Sequence, residues 1–416
     1  MRSEPAPVVP GGRVARVSAA AAGPVPGDLA GRVETYLDEL VALRRDLHAH
    51  PELSWAEVRT TRVLGERLEA AGLRPQVLPG GTGLTCDVGE GVTAVALRAD
   101  LDALPVVDAK SVDYASTVPG VCHACGHDVH TAAVLGAGLV LADLAREGRL
   151  PGRVRLIFQP AEESSRSGAR AVLDAGGVDG VGRIFALHCD PRTTVGEVGL
   201  RAGPITGSAD HLLVRLTGPG GHTARPHLTA DLVYALGRLV TELPATLSRR
   251  VDPRASLSVV WGRVAAGRVA NAIPQVGEAE GTVRCLDTSA WNDAPTLVED
   301  IVHALMAPYG VDAEVTYQRN VPPVDNEAVS VDLLSAAVRA VEGADALVGT
   351  EQSLGGEDFA WYLDKVPGAL ARLGVCPPGV PESARLDLHQ GHFDADERAI
   401  PTAVRVLVAA AILSFS

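Results

Sequence analysis

The chain has 416 residues, which is more than one hydrophobic core usually holds, so two domains are expected. Its formal net charge of -14 argues against partners that are themselves polyanions, such as nucleic acids and anionic membrane surfaces. Six cysteines are too sparse for a disulfide-based scaffold.

The first thirty residues are rich in Pro, Ala and Gly and contain no apolar stretch of the roughly 7 to 15 residues that a signal peptide needs. They predict a disordered leader over residues 1–30 on a cytoplasmic protein. No unbroken apolar run approaches the ~18 to 20 residues of a membrane span. We therefore expect no membrane association.

Strand-like and helix-like patterns alternate from Val33 onwards. "VETYLDELVALRRDLHAH" has the periodicity of an amphipathic helix, and continuous apolar strands follow from Val92, Arg153 and Arg183. A helical segment, "VHTAAVLGAGLVLADLARE", lies between the first two strands. This alternation predicts an α/β domain with a largely parallel sheet flanked by helices, over residues 31–208 and 323–416.

Between Ala209 and about Pro322 the pattern changes to strand, helix, strand, strand, helix, strand. The order β-α-β-β-α-β is typical of the ferredoxin-like or split βαβ arrangement. Because helix-strand alternation resumes after this segment, residues 209–322 are predicted to form a compact domain inserted into the first one.

Acidic and imidazole side chains follow three of the predicted buried strands. Asp100 and Asp102 come after the first, Glu162 and Glu163 after the second, and His188 after the third. The carboxyl ends of parallel strands form one edge of a sheet, where α/β proteins bind their ligands. A metal site at this edge explains the coincidence better than three separate capping or surface roles.

The segment "VCHACGHDVHTA" (residues 121–132) fits two chemistries. Haem attachment would need His directly after the second Cys, where Gly126 stands instead. A redox pair of Cys122 and Cys125 fits the spacing but leaves the carboxylates and histidines unexplained. Cys125 and His127 flank a glycine before a helix, so both can reach one ion, and their thiolate and imidazole suit zinc or a similar metal.

Seven stretches occur in the order seen in the M20 metallopeptidase/amidohydrolase family, and they span roughly residues 35 to 410. They are "RRDLHAHPELSWAE", "LRADLDALPV", "CHACGHDVHTAAVLGAG", "FQPAEE", "GGHTARPH", "GGEDFAWYLDKVPGALARLG" and "LHQGHFDADERAIP". The chain most resembles the branch of N-acyl-amino-acid amidohydrolases, hippurate hydrolases and auxin-conjugate hydrolases.

The resemblance implies a catalytic domain with two divalent ions, zinc or manganese, and an inserted lid domain that mediates homodimerisation. It implies the metal ligands Cys125, His127, Glu163, His188 and His389. Glu162 matches the general base, and His222 matches a lid histidine that polarises the scissile carbonyl, in some relatives across the dimer. Asn271 and Arg284 match positions linked to the substrate carboxylate.

Seven positions within these motifs have other expected roles. Asp102 is expected to orient a ligand or the groups around the site. His392 is a second candidate for the ligand assigned to His389, and Asp100 is not expected to bind metal. His48 and His50 are expected to pack or cap a helix, and Glu357 and Asp358 to lie at a helix start or line the site.

The predicted function is cleavage of the amide bond of N-acyl amino acids by a metal-activated water, with Glu162 as general base. The alternatives are a dipeptidase or carboxypeptidase with the same metals, and a non-catalytic small-ligand binder. The partners expected are a small-molecule substrate and a second copy of the chain.

Overall fold

The computed structural model describes residues 25–92 and 94–415 and shows an α/β protein with two large sheets. Its helices are α1 (Leu29–Ala49), α2 (Val58–Ala70), α3 (His127–Arg146), α4 (Gly168–Asp174), α5 (Leu232–Arg250), α6 (Thr288–Met306), α7 (Ala328–Val341), α8 (Ala360–Leu363) and α9 (Ala399–Leu413).

The strands of the first half of the chain are β1 (Gln76–Val77), β2 (Leu84–Val88), β3 (Ala94–Asp100), β4 (Arg153–Gln159), β5 (Val181–Thr194), β6 (Val198–Leu200), β7 (Gly203–Thr206) and β8 (Ala209–Thr217). Those of the second half are β9 (Gly221–His222), β10 (Ser258–Ala266), β11 (Ala272–Ile273), β12 (Val276–Arg284), β13 (Asp312–Val321), β14 (Val324–Asn326), β15 (Leu347–Gly349) and β16 (Gly368–Cys376). Their order along the chain follows the alternation seen in the sequence.

The larger sheet has eight strands in the order β1-β2-β4-β3-β5-β16-β6-β15. Its centre is parallel, because β3 pairs in parallel with β4 and β5, and β16 pairs in parallel with β5. All seven residues of β3 are buried, as expected for a strand covered on both faces. The predicted α/β class with a largely parallel sheet is confirmed.

Helix α3 is the central helix of this domain. Apolar residues surround it because it packs against the sheet, α1 and α9, and most of its residues are buried. A Cβ at Gly136 would come within 2.5 Å of Leu40 and 2.8 Å of Val404, so glycine permits the close helix contact. The helix is also long and apolar enough to cross a bilayer, but its burial is that of a core helix.

The smaller sheet is antiparallel, with the order β10-β12-β8-β13, and two of the helices, α5 and α6, pack on it. Its residues have a hydrophobic core of their own, which includes Leu212, Leu239 and Val298. The element order β8-α5-β10-β12-α6-β13 is the ferredoxin-like one. We call residues 209–321 the small domain.

The predicted leader falls mainly outside the described residues. Residues 1–24 are not described, and α1 already begins at Leu29, so the last two residues of the predicted range 1–30 are helical. Leu29 and Val33 are buried against the main core, which explains why the helix begins there.

Candidate active site

Three central strands of the larger sheet deliver polar side chains to one edge. Asp100 is the last residue of β3, and Glu162 and Glu163 follow the end of β4 by a short turn. His188 lies within β5, which continues to Thr194 instead of ending before the histidine. Because β4, β3 and β5 are neighbours, these groups meet in space as predicted.

A glycine in the left-handed conformation places Cys125 and His127 at the same edge. Gly126 is the N-cap of α3 and has a φ of 83°. A Cβ there would lie 2.7 Å from the sulfur of Cys189, so both the backbone angle and the available space require glycine. The tight turn lets the side chains on either side of it point into one site.

The five predicted metal ligands converge, and we call them the ligand cluster: Cys125, His127, Glu163, His188 and His389. The Cys125 sulfur lies 3.6 Å from Nε2 of His188, and Oε1 of Glu163 lies 3.2 Å from Nε2 of His389. Two triads share the thiol, Cys125 with His127 and His188, and Cys125 with Glu163 and His389, and within each the ligand atoms lie within 4.8 Å of one another. Two neighbouring cation positions fit this arrangement.

Hydrogen bonds to backbone oxygens fix the orientation of two histidine rings of the ligand cluster. Nδ1–H of His127 donates to the backbone oxygen of Asp102 at 2.9 Å, and Nδ1–H of His188 donates to that of Cys189 at 2.8 Å. Each ring therefore turns the lone pair of Nε2 towards the cluster. Nε2 of His127 is buried and has no hydrogen-bond partner, so the residues fit a bound metal ion.

His130 and Asp100 belong to the supporting layer, and the sequence did not single out His130. Its Nδ1 bonds Asp100 at 2.6 Å, and its Nε2 accepts the backbone N–H of Cys189 at 2.8 Å. Both ring nitrogens are therefore occupied. The only available sequence signal was its position one helical turn after His127.

The Asp102 side chain holds the backbone of Glu162 and Glu163 in place. Its carboxylate accepts the N–H groups of Glu162 and Glu163, each at 3.0 Å, and the hydroxyl of Ser54 at 2.6 Å. Its other close neighbour is Nδ1 of His127, 3.4 Å away. Asp102 thus orients both the ligand cluster and the two glutamates.

The turn before the acidic pair is strained. Ala161 has a φ of 52°, a conformation that costs energy for a residue with a side chain. Its N–H donates to the buried Glu57 carboxyl at 2.7 Å, which holds the turn in place. No sequence pattern indicates this role for Glu57.

Glu162 has the environment of a proton-transferring carboxylate. Burial raises the pKa of Glu162 well above its ordinary value, and the neighbouring carboxylates Glu357 and Glu163 raise it further. Its Oε2 lies 4.0 Å from Nε2 of His127, so it borders the ligand cluster. A carboxylate with a raised pKa next to a metal site is a candidate general base.

Arg98 ties together the acidic groups behind the site. Its guanidinium donates to Asp100 at 2.7 Å, Asp358 at 2.9 Å and Glu357 at 3.1 Å. Helix α8 begins at Ala360, close to the predicted helix start, but the side chains of Glu357 and Asp358 bind Arg98 and are buried. Glu357 also lines the cavity at the site.

The other histidines and Cys122 lie outside the ligand cluster. His392 lines a separate cavity, whereas His389 points to Glu163, so the structure brings His389 to the site. His48 Nδ1 bonds Asp128 at 2.7 Å, and His50 Nδ1 bonds the backbone oxygen of Asp46 at 2.8 Å. All six cysteines are free, and the Cys122 sulfur lies 3.4 Å from Nζ of Lys110.

The candidate catalytic and substrate-binding residues of the small domain lie in two different places. Arg284 lines the cavity of about 490 Å³ that contains Glu162, and its Nη1 donates to Leu354 O at 2.7 Å. His222 and Asn271 are exposed and close together, because His222 in β9 is opposite Ala272 of β11 and Asn271 directly precedes β11. Neither is among the residues that line the cavity. Within one chain, the cavity wall around Glu162 therefore does not include His222.

Comparisons with known proteins agree with this geometry. The family model described as "Peptidase family M20/M25/M40" matches residues 96–412. An N-acetylcysteine deacetylase of Bacillus subtilis is 36% identical over 380 residues, which is 90% of this chain and 96% of the relative. A solved Bacillus subtilis structure, described as a dinuclear metal-binding peptidase of the M20 family, has a TM-score of 0.80 and 34% identity and covers 92% of this chain and 99% of its own.

A longer relative is also similar. A putative glutamate–cysteine ligase of Rhodococcus jostii is 52% identical over 385 residues, which cover 92% of this chain but 48% of the relative. The chain therefore spans about half the length of that protein.

Proposed function

The chain belongs to peptidase family M20/M25/M40, and from this premise we propose that it is a metal-dependent amidohydrolase that cleaves N-acyl amino acids to a carboxylate and a free amino acid. The observation that carries the proposal is the juxtaposition of the ligand cluster with Glu162, whose Oε2 lies 4.0 Å from Nε2 of His127. The deacetylase name of a similar protein supports the substrate class. The ligase name belongs to a protein twice as long and is not part of the proposal.

Two divalent ions would be held by the ligand cluster, in which Cys125 belongs to both triads. Thiolate, imidazole and carboxylate donors suit zinc, and the carboxylates also suit manganese. When bound, such ions lower the pKa of a water molecule towards ~7 and polarise a carbonyl oxygen. The orientation of the His127 and His188 rings supports this proposal, because their Nδ1–H groups bond backbone oxygens and leave Nε2 facing the cluster.

The residues of the chain supply the proton transfers and the positioning. Glu162 would take a proton from the attacking water and deliver it to the departing amide nitrogen. Its raised pKa suits a group that must both accept and release a proton. Asp102 fixes the backbone of Glu162, and Arg284 would bind the substrate carboxylate from its place on the cavity wall.

We also propose a homodimer in which His222 of the partner subunit completes the site. Within one chain, His222 and Asn271 are exposed and do not line the cavity with Glu162. Large apolar side chains of the small domain are exposed on nearby segments, among them Leu228, Val233 and Val269. An exposed apolar surface of this kind is expected at a subunit interface.

We further propose that the protein acts in the cytoplasm on a small-molecule substrate, with no nucleic acid or membrane as partner. The support for this location is the six free cysteines, one of which is a candidate metal ligand that an oxidising compartment would endanger.

A hydrolysis assay after metal removal and reloading tests the proposal. Protein treated with a chelator should be inactive, and addition of Zn²⁺ or Mn²⁺ should restore the release of free amino acid from N-acetyl and N-benzoyl amino acids. Faster cleavage of dipeptides than of these compounds would favour a dipeptidase or carboxypeptidase. Hydrolysis that persists after complete metal removal would contradict the proposal.

A further inference from the structure

Arg372 lies beside the ligand cluster and has no role in the function proposed above. It is in β16, where it is in register with His188 of the parallel neighbour β5. Residues in register on neighbouring strands point to the same face of a sheet, so Arg372 lies on the face of His188. Its side chain lines the cavity that also contains Glu162 and Arg284.

Other buried arginines of this domain are paired with carboxylates, whereas Arg372 is not. Arg98 binds three carboxylates, and Arg44 forms ion pairs with Asp128, Asp394 and Glu397. Among the described residues, none forms an ion pair or hydrogen bond with the Arg372 guanidinium, although the side chain is mostly buried. Burial of an unpaired charge is costly, so a ligand is expected to provide the missing anion.

One acidic candidate, Asp190, is already occupied by other partners. Asp190 lies two residues beyond His188 in β5 and has the strongest favourable electrostatic effect on Arg372. Its carboxylate, however, accepts the backbone N–H of Arg192 and the hydroxyl of Thr193, both at 2.9 Å. Its ion pair in the structure is with Arg192, at 3.6 Å. Asp190 therefore attracts the guanidinium without binding it.

The neighbouring strand leaves room at the base of this side chain. Gly199 of β6 is opposite Arg372, and a Cβ at Gly199 would come within 3.3 Å of the Cβ of Arg372 and 3.0 Å of that of Thr350. A larger residue at this position would crowd the Cβ atoms of Arg372 and Thr350, so glycine fits the close packing at the base of this side chain.

A guanidinium in a cavity is best suited to bind a carboxylate, with two parallel hydrogen bonds. The proposed function already assigns the substrate's α-carboxylate to Arg284. We propose that Arg372 binds a second carboxylate, so that the enzyme prefers N-acyl amino acids with two carboxylates. The second carboxylate comes either from the acyl group or from the amino-acid side chain. The inference rests on the proposed function.

Matched substrate pairs test the preference and distinguish the two sources. N-acetyl-L-glutamate and N-acetyl-L-glutamine differ at the amino-acid side chain, and N-succinyl-L-alanine and N-succinamoyl-L-alanine differ at the acyl group. In each pair a carboxylate is replaced by a neutral amide of the same shape. A hydrogen-bonded charge should favour the charged member of one pair by about 10-fold or more in kcat/KM.

Variants assign the preference to Arg372. In Arg372→Met the charged member should lose about 10-fold more kcat/KM than its neutral partner, and Arg372→Lys should retain part of the preference. Arg192→Met is the matched control, because this arginine is exposed and does not line the cavity. Equal activity on both members of both pairs in the unmodified enzyme would overturn the inference, as would a charge preference unchanged in Arg372→Met.

Direct binding separates failure of this inference from failure of the proposed function. Metal-loaded Glu162→Gln protein should bind the charged member of the preferred pair, and the additional change Arg372→Met should weaken its Kd by about 10-fold or more. No turnover of any N-acyl amino acid would contradict the proposed function, whereas turnover without this loss of binding would contradict the role of Arg372 alone.

Discussion

In the ligand cluster, side chains are buried and held by hydrogen bonds to their neighbours, whereas His222 and Asn271 of the small domain are exposed and lie away from the cavity. The cluster is assembled within one chain from residues of both halves of the larger domain. This difference corresponds to the two tasks of the site, metal binding and substrate capture. Metal binding needs a rigid, preorganised arrangement, and substrate capture allows groups to arrive from another element or another subunit.

Of the substitutions considered, the one at Glu162 should have the largest effect on kcat. Glu162→Gln removes the proton acceptor but leaves all five members of the ligand cluster, so kcat should fall by about 10²- to 10⁴-fold while two metal ions remain bound. Turnover and elemental analysis of the same preparation check this. Normal turnover in a variant with full metal content would contradict the assignment of Glu162 as the general base.

Arg98 tests whether the rigidity of the cluster depends on the acidic network behind it. Arg98→Met leaves Asp100, Glu357 and Asp358 buried without their cation, and should lower the free energy of unfolding by about 3–5 kcal/mol. Denaturant unfolding measures the loss. Arg263→Met in the small domain is the control, because this half-exposed arginine pairs with glutamates that are themselves partly exposed. Equal losses of unfolding free energy in the two variants would contradict the larger role assigned to the buried ion pairs of Arg98.

His222 tests the other half of the comparison. If it stabilises the developing oxyanion, His222→Ala should lower kcat by about 10²- to 10³-fold without loss of metal. A mixture of His222→Ala and Glu162→Gln subunits should regain about one quarter of the wild-type activity, because half of the dimers are mixed and each has one intact site. No recovery after subunit exchange would place His222 and Glu162 of one site in the same chain.

A substitution at Cys125 tests whether the thiol that belongs to both triads is a metal ligand. Cys125→Ala should weaken metal binding by at least about 10-fold, since loss of even a supporting group has an effect of this size. Metal content after dialysis against a chelator checks it. Cys122→Ala is the matched control, because Cys122 is also buried but contacts Lys110 instead of the cluster. Equal metal loss in both variants would contradict a ligand role for Cys125.

The metal ligands and the general base could be predicted from the sequence, and the partners of single buried arginines could not. The ligand cluster and Glu162 were found because they follow buried strands or stand in long motifs, and the parallel sheet was found from its apolar runs. Arg98 and Arg372 lie within these motifs as single charged residues of apolar strands, and they differ in partners that are distant in sequence: Arg98 forms ion pairs with Glu357 and Asp358, whereas Arg372 forms none with the described residues. No local pattern encodes such partners. The exposure of His222 likewise depends on how the small domain is placed.

Buried carboxylates extend the comparison to pH. In the larger domain, burial raises the pKa of Asp108, but hydrogen bonds from Ser116 and Lys110 outweigh it and lower the pKa to about 2. In the small domain, burial raises the pKa of Asp210 despite donors from Asn320, Tyr317 and Trp291. The two groups therefore change stability in opposite directions as the pH changes.

The sign follows from the ordinary Asp pKa of about 3.9 in the unfolded chain. Asp108 stabilises the fold above that pH and loses its contribution as the pH falls towards 2. Asp210 contributes most at low pH and loses its contribution as the pH rises through its raised pKa. Unfolding of chelator-treated protein between about pH 3 and 6 should therefore show a shallower acid loss for Asp108→Asn than for wild type, and a steeper one for Asp210→Asn. If the pH dependence of stability is the same in both variants as in wild type, the opposite contributions of Asp108 and Asp210 are contradicted.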